Sequence, residues 1–155
     1  MANQSISNDF LRKHSMFGGF TDSELNIIQP LLETLEFAQN SKVLIQGEPN
    51  SRVYLIVSGV VKVTKHHIHN QNEEREITRL QAGDSFGEME LIDIQNCAAT
   101  ITCLSDVKTV SMSNYSLYKL SKIDLHIYAM LIMNLARDIS RRLRATDSML
   151  ALVSK

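Results

Sequence analysis

Hydrophobic positions change their period twice along this chain of 155 residues. Across residues 1–34 they recur at helical spacing. Asn8 to His14 predicts a short helix presenting Phe10 and Leu11, and Gly18-Gly19 breaks it. Thr21-Asp22-Ser23-Glu24 is a capping box: the threonine hydroxyl caps the amide three residues on, and the glutamate reaches back. The helix it opens carries Leu25, Ile28, Leu31 and Leu32 on one face, and Pro30 kinks or ends it.

From residue 35 to residue 112 the period is two. Leu35-Glu36-Phe37 and Val43-Leu44-Ile45 predict short strands. Arg52 to Val57 predicts a longer one, with Val53, Leu55 and Val57 on one side and Tyr54 and Ile56 on the other. Ser58-Gly59 turns the chain into Val60 to Thr64. His66 to Asn72 is polar and reads as an exposed hairpin tip, and Glu76 to Leu80 returns across it. Asn96 to Leu104 and Lys108 to Met112 complete the set. Many short strands with turns about every 8–12 residues argue a sandwich or barrel.

After Ser113 the helical period returns and holds to the end. Ser113 or Asn114 caps a short helix through Leu120, and Asp124 caps a long one over residues 124–153. In it Leu125, Ala129, Ile132, Ala136, Ile139, Leu143, Thr146 and Leu150 fall alternately four and three apart, a heptad seam. Tyr128, Leu131, Leu135 and Met149 form a second apolar set. A helix of about 30 residues is long for one domain to cover. The expected arrangement therefore packs one side on the β unit and meets a second copy through the seam. A single amphipathic helix lying on its own domain is the alternative.

Gly83 to Thr102 carries the candidate chemistry. Gly83-Asp84 turns, Phe86-Gly87-Glu88 lets the backbone approach something closely, and Met89-Glu90-Leu91-Ile92 makes an apolar turn. Ala98-Ala99-Thr100-Ile101-Thr102 then reads as strand. Strand, glycine, one-turn helix and strand are a recurring way of holding a phosphate on backbone N–H groups.

Composition narrows the classes. Hydrophobic content is 44%, charged content 21% and net charge -1, so a single globular domain over 1–155 is expected, without the basic excess of a nucleic-acid binder. No apolar run approaches the roughly 20 residues of a membrane span, and the N-terminus lacks an apolar signal core. Cys97 and Cys103 would lie about 20 Å apart on one strand, too far for a disulfide, which suits the cytoplasm. No Ser/His/Asp arrangement, P-loop or HExxH motif points to catalysis. His66, His67 and His69 lack a third ligand, so no metal site is expected.

In this order the elements resemble the cyclic-nucleotide-binding domain family. Val43 to Glu48 with Tyr54 to Val63 is similar to its first hairpin, Leu80 to Met89 to its phosphate-binding entry, and Ser105 to Met112 to its last strand. Arg141 to Thr146 resembles part of a long dimerisation helix. The resemblance implies an α+β, mainly β fold: an eight-stranded jelly-roll β-barrel with N-terminal helices and a long C-terminal helix. It implies a regulatory module with cAMP or cGMP as ligand and no other cofactor. Phe86, Gly87, Glu88, Met89, Cys97, Ala98, Ala99 and Thr146 then line the site. Gly87 and the following amides would meet the phosphate, Glu88 the ribose 2′-hydroxyl, and Thr146 the base.

The sequence departs from the family where the phosphate is paired. Cys97 stands at the family's arginine, Asn96 at its usual proline, and Glu90 at a usually small residue. A neutral thiol makes no bidentate bond to phosphate; losing one charge-assisted bond costs roughly 1.5–3 kcal/mol, about 10- to 150-fold in affinity. Glu88, Glu90 and Asp93 leave the site acidic, with no nearby cation. Arg137, Arg141, Arg142 and Arg144 read as a solvated helix face. The chain stops at Lys155 without room for a helix-turn-helix, so direct DNA binding is not expected. The expected function is a dimeric regulatory module with a degenerate phosphate site and possible protein partners. A genuine cAMP or cGMP receptor signalling through the long helix is the alternative.

Overall fold

The computed structural model of the protein describes residues 6–67 and 70–154. Helix α1 (Asn8–Arg12) and a 3-10 turn (Ser15–Phe17) precede α2 (Asp22–Ile28). The capping box is complete: Thr21 Oγ1 accepts the Glu24 N–H at 3.3 Å, and Glu24 Oε2 accepts the Thr21 N–H at 2.8 Å. Pro30 ends α2 in a second 3-10 turn, Gln29–Leu31. Leu11, Leu25 and Ile28 are fully buried, as their spacing requires.

Eight strands follow: β1 (Glu33–Phe37), β2 (Lys42–Leu44), β3 (Arg52–Ser58), β4 (Val60–His67), β5 (Asn70–Gln81), β6 (Ser85–Phe86), β7 (Thr100–Cys103) and β8 (Val107–Ser113). They form two antiparallel sheets, ordered β1-β8-β3-β6 and β2-β7-β4-β5. The jelly-roll layering agrees with expectation, but among the described residues no ladder joins the two sheets into a closed barrel. Two of the four edge strands are short: β6 has two residues, and β2 has three with a register shift. The hairpin tip differs too. β4 runs on through His67, which pairs with Asn70, while Ile68 and His69 lie outside the described residues.

The expected strand from Asn96 begins only at Thr100. Before it, the Cys97 N–H donates to Glu48 O at 2.8 Å and Cys97 O accepts the Gly47 N–H at 2.9 Å. The chain here is tied to the turn after β2 and leaves the ladder.

β3 divides the interior because its alternation puts apolar residues on both faces. Val53 and Leu55 join a core with Leu11, Phe17, Leu120 and Leu131. Tyr54 and Ile56 join a second core with Val61, Phe86, Cys97 and Cys103.

Helix α4 (Asn114–Ile123) is capped by Ser113, and α5 (Leu125–Val153) by Asp124, whose Oδ1 accepts the Ile127 N–H at 3.0 Å. Ile127, Leu131 and Leu135 bury the inner face of α5, each such side chain contributing roughly 1.5–3 kcal/mol. From residue 141 to 154 the helix is exposed throughout, so Met149, assigned above to the buried face, stands in solvent. Along the seam, Ile132 and Ile139 are half-buried; Leu125, Ala129, Ala136, Leu143, Thr146 and Leu150 are exposed.

Candidate functional site

The candidate pocket is built where β6 runs into α3 (Glu88–Asp93). Phe86 pairs with Tyr54 across the sheet, and their rings stack with centroids 4.9 Å apart. Gly87 follows at φ 83°, and a Cβ there would lie 2.5 Å from Arg52 O and 2.9 Å from Asn50 Nδ2. Only glycine fits this approach. The Asn50 amide fastens the turn, donating to Arg52 O at 2.7 Å and to Gly87 O at 3.3 Å.

Glu88, the next residue, is 2% exposed. Its Oε1 accepts from Arg142 Nη1 on α5, while Oε2 is buried without a partner. Arg142 Nη2 also donates to Ser85 O at 2.5 Å and to Ser85 Oγ at 3.2 Å. Burial pushes the Glu88 carboxyl up from its ordinary range; Arg142 pulls it down, and nearby Glu90 and Asp138 push it up further. Desolvation is the largest of these effects, so Arg142 only partly compensates the buried charge.

Arg142 corrects two expectations at once. The site does have a nearby cation, and the basic cluster is not simply solvated. Arg137 donates to Asn134 Oδ1 at 3.2 Å, Arg141 pairs with Asp138, and Arg142 enters the pocket. The signal was in the phase of the helix. Leu131, Asn134, Leu135 and Asp138 are buried, and Arg142 continues that stripe one turn on. The same stripe grips the N-terminal turn. Ser15 Oγ lies 2.8 Å from each Asp138 carboxylate oxygen, and Asn134 Nδ2 donates to Met16 O and Gly18 O at 3.1 and 3.0 Å. His14 is buried beside this network, and burial pulls its pKa down.

Cys97 is 4% exposed and packs in the β core with Tyr54 and Phe86. Burial and then the Glu90 carboxylate push its thiol up, which keeps it neutral. Glu90, itself buried, accepts the Ala98 N–H on Oε1 at 3.2 Å. Ala98 and Ala99 are half-buried. Met89 is 48% exposed, and exposed Thr146 spends its hydroxyl on Arg142 O at 3.0 Å. Among the described residues, no group of three or more His, Cys, Asp or Glu could hold a metal ion. No helix among them is long and apolar enough to cross a membrane.

The site thus joins a β-roll, a glycine-led turn, a buried glutamate behind it and a long C-terminal helix whose Arg142 reaches that glutamate. Residues 34–124 match the family model described as the cyclic nucleotide-binding domain, and the chain belongs to that family. It is 28% identical over 143 residues to a "CRP-like cAMP-activated global transcriptional regulator" of Mycobacterium tuberculosis, covering 92% of this chain and 61% of that protein. The chain thus spans less than two thirds of that relative. Among solved structures, a cyclic nucleotide-binding domain from Methylobacillus flagellatus is similar in fold, with TM-score 0.83 and 22% identity over 95% of this chain and 82% of that one. So is a regulatory subunit of a cAMP-independent protein kinase A from Trypanosoma brucei, with TM-score 0.71 and 20% identity over 84% of this chain and 44% of that one. That subunit is a variant with Glu→Ala, Thr→Arg and Val→Ala substitutions, bound to cAMP in the A site.

Proposed function

We propose that this chain is a non-catalytic regulatory module of the cytoplasm whose pocket binds cyclic nucleotides weakly or not at all. The observation that carries the reading is the chemistry facing the phosphate position. Cys97 is buried and neutral, Glu90 is an anion on the Ala98 amide, and Arg142 is already engaged by Glu88 and Ser85. An anionic ligand there meets like charge and no free guanidinium. The exposed seam on α5 supports dimerisation through that helix, since Leu143 and Leu150 are 59% and 60% exposed.

A second reading is a genuine cAMP or cGMP receptor, and Arg142 favours it. Its guanidinium reaches Ser85 at the entry to the phosphate turn, so a ligand could recruit it. Titration of cAMP into the C97R variant separates the two. A gain of about 10-fold or more over the native chain supports the degenerate site. Native binding already in the low micromolar range, unchanged by C97R, supports the receptor.

A further inference from the structure

Helix α4 has an outer face that its own domain leaves uncovered. Ser116, Leu117 and Leu120 form its buried side. Tyr115, Tyr118, Lys119 and Lys122 recur at i, i+3, i+4 and i+7 on the other side, all exposed, the tyrosines by 62% and 59%. Each ammonium stands over a ring: Lys119 Nζ lies 4.5 Å from the Tyr115 centroid, and Lys122 Nζ 5.2 Å from that of Tyr118. Ile123 continues the row from Lys119 and is 60% exposed. No carboxylate lies within α4, and among the described residues none pairs with either ammonium. The face therefore presents two cations and three large apolar side chains without a counter-charge. Its complement is anionic and has an apolar layer beneath the charge. A peptide is usually gripped at a strand edge or in a groove, and the convex side of one helix offers neither. A bilayer surface needs neither. Tyrosine rings settle at headgroup level, and lysines lay their stems on apolar surface while their ammonium groups meet lipid phosphates. We infer that the outer face of α4 is a peripheral docking surface for an anionic phospholipid membrane. The whole chain, at net charge -1, is not drawn to such a membrane, so the attraction is local to α4. The inference does not depend on what the pocket beside Gly87 binds.

The test uses the whole chain, sedimented with vesicles of phosphatidylcholine alone and of phosphatidylcholine with phosphatidylglycerol at about 7:3. The native chain is expected to pellet with the mixed vesicles, not with phosphatidylcholine alone, and to be released as salt rises to about 0.5 M. Each lysine at an anionic surface contributes about 5-fold, so K119Q/K122Q is expected to lower the partition coefficient by about 10- to 30-fold. Y115S/Y118S is expected to lower it as well, by removing the apolar contact. All four side chains are exposed, so both variants should keep the native thermal midpoint. R144Q removes an exposed cation from α5 and is expected to leave partitioning unchanged. Three results overturn the inference: no retention above that on phosphatidylcholine, a loss below about 2-fold in K119Q/K122Q, or an equal loss in R144Q. Poly-glutamate bound through Lys119 and Lys122 while the vesicles are not also overturns it, and assigns the face to an acidic protein.

Discussion

Removing the Arg142 guanidinium strands a carboxylate inside the protein. The Glu88 side chain is 3% exposed and that of Arg142 45%, so the pair is buried on one side only. Breaking a fully buried pair costs about 3–5 kcal/mol. Solvent at Arg142 weakens this one, and R142A is expected to cost about 2–3 kcal/mol near pH 8, a large share of a domain's stability. The cost depends on pH with a definite sign. Burial already raises Glu88 above its unfolded value, and loss of Arg142 raises it further. A raised carboxyl binds more protons folded than unfolded between the two pKa values. Stability therefore falls as pH rises through that window, and the full penalty stands above the folded pKa. Urea unfolding of native and R142A protein near pH 4.5 and pH 8 reads the effect: a small penalty at the lower pH, the full one at the higher. E88Q in the R142A background should recover about 1–3 kcal/mol, because the stranded charge is gone. A penalty below about 0.5 kcal/mol, or one equal at both pH values, refutes the account of Glu88 as a charge held by Arg142.

Three further outcomes follow from the same geometry. G87A places a Cβ 2.5 Å from Arg52 O at φ 83° and is expected to cost at least about 2 kcal/mol, read as a fall in thermal midpoint; an unchanged midpoint contradicts the close approach. The double variant L143E/L150E changes residues that are exposed in one copy, so it should leave each copy folded and halve the mass measured by light scattering; an unchanged mass removes the seam from the account. Cys97 and Cys103 are 4% and 0% exposed with thiols pushed up by burial, so Ellman's reagent should react about 100-fold or more slowly in buffer than in urea. Rapid reaction in buffer contradicts their burial.

The sequence made local signals legible and long-range ones much less so. Thr21 with Glu24, Ser113 and Asp124 mark helix starts through contacts within three residues, and each caps as its spacing indicates. The period of two between Leu35 and Met112 located the strands because side chains alternate faces in any strand. Closure of the sheets was not legible; the edge strand β6 has only two residues. Nor was the end of the strand expected from Asn96. Cys97 is held by Glu48 and Gly47, partners 49 and 50 residues away in the chain. At the candidate site, resemblance to the family singled out Gly87, Glu88, Glu90 and Cys97, and the structure brings Gly87, Glu88 and Glu90 together at the start of α3. Arg142 was missed because it lies 54 residues from Glu88 and among arginines that look alike in sequence. Only its phase with Leu131, Leu135 and Asp138 sets it apart.

The most direct test of the central claim is isothermal titration of the native chain with cAMP and with cGMP at about 150 mM salt. The account predicts no saturating heat up to about 1 mM, a bound of roughly -4 kcal/mol. Saturable binding at low micromolar concentration would contradict it, and would mean that Arg142 leaves Glu88 to pair with the phosphate.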